Sequence, residues 1–180
     1  MNNFVFISPT EFVFGKGTEN KVGSLATKYG ANKVLIVYGK GHAVKSGLLQ
    51  RVEDSLMNEG IMCYKIGDIA PNPTDDKVYE GIEIARTYHV DFMIAVGGGS
   101  VIDTAKAIAA GVPYEGDFWD FFQGTARVKQ ALPIGVVLTI PAAGSEASGN
   151  SVITKRDGVH KLIIRTDREL RPKFSIMNPE

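Results

Sequence analysis

Residues 92–110 read FMIAVGGGSVIDTAKAIAA, which runs from a buried strand through a naked glycine turn into a helix start without a residue to spare. Five apolar residues from Phe92 to Val96 suit a parallel strand covered on both faces. Gly97, Gly98 and Gly99 allow backbone N–H groups to approach a ligand with no Cβ in the way, and Ser100 stands where a helix N-cap belongs. The free first-turn amides and the positive end of the helix dipole then converge on one point, which suits an anionic phosphate. A tight connection with no ligand is the other reading of this segment, because short glycine motifs are weak signals. The spacing also departs from the G-x-G-x-x-G dinucleotide fingerprint, whose third glycine would fall at Ile102.

The same strand-to-helix grammar recurs along the chain. Glu11 to Phe14 and Phe4 to Ile7 read as short strands of edge material, separated by Ser8-Pro9-Thr10. Thr18 is placed to cap a helix over 19–29 that Gly30 ends. A strand over 34–38 leads through Gly39-Lys40-Gly41-His42 to an amphipathic helix over 48–59, closed by Gly60. Strand 61–66 follows, then Pro71-Asn72-Pro73-Thr74, then a helix over 76–88. Strand 92–96 and helix 101–110 continue the alternation, and strand 134–140 opens into the small, polar loop 141–150. Such a series predicts an α/β fold: a Rossmann-like parallel sheet with helices on both faces. Residues 114–122 are aromatic-rich and read as a helix with Asp117 or Asp120 near its start; Phe118, Trp119, Phe121 and Phe122 read as core or interface. Short strands over 152–154, 161–165 and 174–177 surround a charged turn at 155–158. In open α/β sheets ligands collect at the carboxyl ends of the strands, and three of those ends carry small loops: 39–42, 97–100 and 141–150.

Charge and composition narrow the function classes. Lys plus Arg equals Asp plus Glu at 20 each, so no global field favours nucleic acid or an anionic membrane. The single cysteine, Cys63, excludes an internal disulfide framework. No leader pattern stands at Met1 and no apolar run nears the ~20 residues of a membrane span, so the expectation is a cytoplasmic protein with neither a nucleic-acid nor a membrane partner.

Several segments together resemble one family. FGKG at 14–17, VLIVYGKG at 34–41, APNP at 70–73, AVGGGSVIDTAK at 95–106 and LTIPAAGSEASGNSVIT at 138–154 are similar to the iron-containing, or group III, alcohol dehydrogenases, in that family's order and spacing. Within the family the likeness is to the butanol dehydrogenase and aldehyde reductase branch. The resemblance covers essentially the whole chain and implies the nicotinamide dinucleotide-binding domain, residues 1–180, of a dehydroquinate-synthase-like fold. It implies an NADP(H)- or NAD(H)-dependent enzyme that interconverts primary alcohols and aldehydes, a homodimer when complete. The pyrophosphate would lie on Gly97, Gly98, Gly99 and Ser100. Asp103 and Lys106 complete GGGSxxDxxK; Asp103 reads as shaping the site or as a first-turn carboxylate favoured by the dipole, and Lys106 as a site residue or a solvated one. Asn72 would stand beside the cofactor, or serve only as a turn former. Thr139, Ser145 and Ser148 are candidate hydrogen-bonders, with Ala142 and Ala143 where many members have threonine. Lys161 falls where the branch has a lysine near the cofactor, and also reads as a solvated hairpin residue.

Cofactor choice follows from the turn after the second predicted strand. An acid there would bind a ribose 2′-OH and repel a 2′-phosphate, whereas Gly39, Lys40 and His42 offer space, a cation and a protonatable ring. That favours NADP(H) over NAD(H), although the branch often has GGGS at this place. The resemblance further implies Fe2+ or Zn2+ held by one aspartate and three histidines from a helical domain after residues 178–180. His42, His89 and His160 show no ligand spacing, so no metal site is assigned and this chain alone is expected to be inactive, with apolar surface left to drive association. Two other readings stand beside this one. One is a non-catalytic nucleotide-binding module, and the other a polyol dehydrogenase or dehydroquinate-synthase-like enzyme on the same scaffold.

Overall fold

A computed structural model describes residues 8–166 and 168–180. The expected strand over 4–7 lies outside the described residues. Six strands form one parallel sheet: β1 (Glu11–Phe14), β2 (Lys33–Gly39), β3 (Met62–Ile69), β4 (Phe92–Gly97), β5 (Ile134–Leu138) and, after a separate hairpin, β8 (Phe174–Met177). Their order across the sheet is β1-β8-β5-β4-β2-β3. The hairpin is β6 (Asn150–Thr154) paired antiparallel with β7 (Lys161–Arg165). Helices α1 (Val22–Lys28), α2 (His42–Lys45), α3 (Leu48–Asn58), α4 (Asp75–Thr87), α5 (Gly99–Gly111) and α6 (Trp119–Gln123) fill the connections.

Side-chain alternation along the central strands separates two cores. Leu35, Val37, Met93, Ala95, Val136 and Leu138 pack with α4 and α5 and the aromatic cluster of α6, whereas Val34, Ile36, Ile94, Val96, Val137 and Ile176 pack with α1 and α3. Every residue of β4 is buried, as a central strand with helices on both sides requires. Phe118, Trp119, Phe121 and Phe122 are core residues. At Gly135 a Cβ would lie 2.3 Å from Cζ of Phe174, whose ring stacks on Phe92 with centroids 6.1 Å apart. The missing side chain of one strand is the space filled by the ring of the next.

Four local expectations are corrected. Thr18 does not cap a helix over 19–29: residues Thr18–Lys21 form a 3-10 turn, the Thr18 hydroxyl donates to the Gly15 carbonyl at 2.7 Å, and α1 begins only at Val22. The turn buries Glu19, which accepts from Arg51 Nε and Asn178 Nδ2, both at 2.9 Å. Ser100 is not the N-cap of α5. Gly98 takes that position in an extended conformation, and the N–H groups of Val101 and Ile102 both close on its carbonyl, so the helix starts at Gly99. Only 119–123 of the aromatic segment is helical, with Asp117 Oδ1 accepting from the Trp119 amide at 2.9 Å. Residues 174–177 leave the hairpin's neighbourhood and insert between β1 and β5 in the main sheet. A four-residue apolar run carries no information about its partner; the six-stranded sheet supplies it.

Candidate functional site

The chain leaves β2 in one direction along the sheet, to β3, and returns on the other side as β4. A crevice opens where the order reverses, beyond the carboxyl ends of β2 and β4. It is a cleft of about 350 Å³ formed by residues 39–43 on one side, 96–101 at its floor, and Ile69, Pro71, Thr139, Ile140 and Ala142 around it. Of the sequence candidates, Gly39, Lys40, His42, Gly97, Gly98, Gly99, Ser100 and Thr139 meet here. Among the described residues lining the cleft there is no carboxylate, and Lys40 and His42 are its titratable side chains. The 13-residue α5 begins at this floor, and its first amides precede any intrahelical acceptor. An anion entering the cleft therefore meets backbone donors, the positive end of a helix dipole and a lysine.

The three glycines have different reasons. None has a positive φ, so left-handed backbone is not the cause. A Cβ on Gly97 would come within 2.6 Å of Val101 Cγ2, so this glycine lets α5 pack down on β4. Gly98 has nothing nearer than 3.8 Å, and its missing side chain leaves space in the cleft itself.

Asp103, Lys106, Ser145 and Ser148 meet one another behind the cleft and do not line it. Lys106 is fully buried, and its Nζ donates to the carbonyls of Ser145 at 2.6 Å, Ser148 at 2.8 Å and Asn150 at 2.9 Å, and to Ser145 Oγ at 2.9 Å. The Ser145 hydroxyl in turn donates to Asp103 Oδ1 at 2.6 Å, while Asp103 Oδ2 accepts from the Val152 amide at 3.1 Å. Lys106 is thus not a solvated helix residue, and Asp103 does more than answer the dipole. Burial pushes the Lys106 ammonium down to about 8, with Asp103 acting in the opposite direction, and burial raises the Asp103 carboxyl above its ordinary range against its two hydrogen bonds. The sequence carries one signal of this burial: Lys106 follows Ile102 by four residues and precedes Ala109 and Ala110 in a helix that is otherwise apolar on nearly every side.

Asn72 and Lys161 form a separate pair at the edge, with Lys161 Nζ donating to Asn72 Oδ1 at 2.7 Å. Asn72 has a φ of 55°, and the turn that holds it is tied to the hairpin by the Thr154 amide donating to the Pro73 carbonyl at 2.9 Å and the Arg156 amide to Asp75 Oδ1 at 2.8 Å. Both side chains are exposed.

The family profile of the iron-containing alcohol dehydrogenases matches residues 9–179. This chain belongs to that family. It is 43% identical over 180 residues to the probable NADH-dependent butanol dehydrogenase 2 of Bacillus subtilis, covering all of this chain and 46% of that protein. It is 37% identical to the NADPH-dependent aldehyde reductase YqhD of Escherichia coli, covering 99% of this chain and 46% of the relative. Among solved structures, the NADH-dependent butanol dehydrogenase A of Thermotoga maritima superposes with a TM-score of 0.96 at 46% identity, over 99% of this chain and 45% of that one. The chain spans about half the length of the curated relatives it matches. The Rossmann-like parallel sheet matches the N-terminal domains of these iron-containing alcohol dehydrogenases. Among the described residues of this family member, no group of three or more His, Cys, Asp or Glu side chains is arranged to hold a metal ion, and no helix is long and apolar enough to cross a membrane.

Proposed function

We propose that this chain is the dinucleotide-binding domain of an NADP(H)-dependent alcohol dehydrogenase or aldehyde reductase, which interconverts primary alcohols and aldehydes. The observation that carries the reading is the cleft at the reversal of strand order, floored by Gly97–Ser100 at the start of α5 and free of carboxylates among its described lining residues. The residues present fit a dinucleotide: Gly98 leaves room for a pyrophosphate against the first amides of α5, and Thr139 supplies a hydroxyl at the rim. Lys40 and His42, at the end of β2, face the place where a discriminating acid would otherwise stand, so a 2′-phosphate meets a cation and no repulsion. This argument favours NADP(H), while relatives of both kinds, named for NADH and for NADPH, support the wider class of nicotinamide enzymes. Asn72 and Lys161 hold the edge turn that carries Pro71 to the cleft.

When bound, the nicotinamide supplies the hydride exchanged with the alcohol or aldehyde carbon. The chain's own part is to bind, orient and exclude water from that cofactor. Among the described residues no set of side chains is arranged to hold a catalytic metal, and the expected behaviour of the 180-residue chain by itself is cofactor binding without turnover. Fluorescence titration of the purified chain with NADPH and NADH tests the reading, followed by addition of butyraldehyde with Fe2+ or Zn2+. Saturable binding, tighter for NADPH and without aldehyde reduction, is the expected result; no binding of either dinucleotide overturns it.

A further inference from the structure

The wall of the cleft opposite α2 is made by the segment that leaves β5, with Thr139, Ile140 and Ala142 in the lining. Beyond Ala143 this segment turns at Gly144, whose φ is 68°, and passes across α5 before entering β6. It contains little regular structure, and its backbone carbonyls face inward onto one helix side chain. Three carbonyls, from Ser145, Ser148 and Asn150, and the Ser145 hydroxyl surround the single ammonium of Lys106. That is four acceptors for three protons, so the group is saturated and none of its donors is left to reach a ligand. The arrangement is that of a cation held by inward carbonyls, except that the cation is tethered to the helix that begins at the cleft floor.

The pin is reinforced from three sides. Asp103, one turn before Lys106 on α5, binds the same Ser145 hydroxyl and the amide of Val152. Its own carbonyl accepts from Ser151 Oγ at 2.7 Å. Ser175 Oγ, on β8, donates to the Glu146 carbonyl at 2.7 Å, and Arg171 donates to the Ala147 carbonyl. Nearly every residue from 145 to 152 is therefore tied by its backbone to α5 or to the β8 side of the sheet. At the near end the Thr139 amide donates to the Gly97 carbonyl at 3.1 Å. Between these anchors the four residues 140–143 have little freedom, and a Cβ at Gly99 would already touch Ala143 at 3.1 Å.

We propose that Lys106 is a positioning residue: its buried ammonium gathers the carbonyls of 145–150 onto α5 and so sets the cleft wall at Thr139–Ala142, without touching the bound dinucleotide. The proposal rests on the dinucleotide reading of the cleft, and the test separates the two. Removing the charge leaves inward carbonyls without a donor, which the segment can relieve only by turning them to water and moving the wall.

The experiment is hydrogen exchange by mass spectrometry on the whole chain and on Lys106→Met, together with NADPH titration of both. In Lys106→Met, amides of 145–150 exchange at least about tenfold faster while those of β4 and β5 hold, and NADPH affinity weakens by about tenfold, equivalent to 1.4 kcal/mol. Weakened affinity with unchanged exchange in 145–150 overturns the proposal, because it puts Lys106 in contact with the ligand. Unchanged affinity with faster exchange overturns it too, since the wall then does not depend on the pin. Should Lys106→Met fail to fold, Ser145→Ala removes one acceptor and the link to Asp103; a smaller acceleration in the same segment with weaker NADPH binding supports the pin, and no change in either quantity overturns it. Failure of the unaltered chain to bind any dinucleotide rejects the cofactor reading and leaves the exchange comparison to decide the pin alone, with unchanged exchange rejecting it.

Discussion

Lys161 on β7 donates a 2.7 Å hydrogen bond to the side chain of Asn72, joining a hairpin to the turn before α4 across 89 positions of sequence. The pair closes the edge of the structure next to Pro71, a cleft residue, and both partners are exposed. Exposed pairs of this kind contribute little to folding, so Lys161→Ala should move stability by less than about 1 kcal/mol. Its effect should instead appear in binding, as a several-fold loss of NADPH affinity at low salt. Urea unfolding and fluorescence titration of the same preparation check this; a stability loss without a change in affinity would limit the pair to a structural tie.

Gly97 and Gly98 should respond differently to the same substitution. In Gly97→Ala the new methyl meets the branched Val101 side chain at 2.6 and 2.8 Å, and overpacking at such a buried strand–helix junction costs about 1–3 kcal/mol. In Gly98→Ala the nearest atom is 3.8 Å away, so the urea midpoint should stay where it is or rise slightly. The methyl would stand in the cleft, and NADPH affinity should drop on the order of tenfold or more. Equal destabilisation by the two variants would contradict the packing argument.

Lys40 should govern the choice between the two dinucleotides. Lys40→Ala is expected to weaken NADPH binding by roughly threefold to tenfold, leave NADH nearly unchanged, and lose this distinction as salt is raised, because an exposed charge is screened. Titrations with both nucleotides at low and high ionic strength decide it. A uniform loss for both would move Lys40 to the shared pyrophosphate.

Alkaline pH should reveal the buried lysine. Folding lowers Lys106 from 10.5 to about 8, so between those values the unfolded chain holds a proton that the folded chain has released. Stability from this site is therefore flat below pH 8 and rises as pH climbs toward 10.5, relieving a burial penalty of about 3 kcal/mol. The charges that face it are Asp103 and Glu146, which favour the ammonium, and Arg171, which opposes it. Asp103 itself is raised, so the folded chain keeps its proton longer and its contribution falls as pH rises through the acid range instead. Unfolding midpoints of the protein and of Lys106→Met, followed from pH 7 to pH 10, should diverge above pH 8; parallel curves would show that the lysine titrates as an exposed one.

Much of this architecture could be read from local pattern. The five apolar residues before Gly97, the glycine ends at 30 and 60, and the alternating strands and helices each reflect short-range chemistry: burial of a run, a backbone that needs φ above zero, a repeat of 3.6 or of 2. The eight cleft-lining candidates from Gly39 to Thr139 were found because small loops at strand ends are visible as composition. Helix α5 begins two residues before the start that Ser100 suggests, since a serine looks like a cap whether or not a glycine two positions earlier has already taken the role.

By itself, the sequence determined the kind of fold, the glycine turn after β4 and the family, all of which rest on residues adjacent in the chain. Tertiary structure alone decided that residues 174–177 enter the main sheet between β1 and β5, that Asn72 meets Lys161, and that Ser145 turns inward. Above all it decided the state of Lys106, whose solvation depends on a loop 39 to 44 residues away. A helix position shows where a side chain points relative to its neighbours in sequence; only the packed fold shows whether water or three carbonyls wait at the end of it.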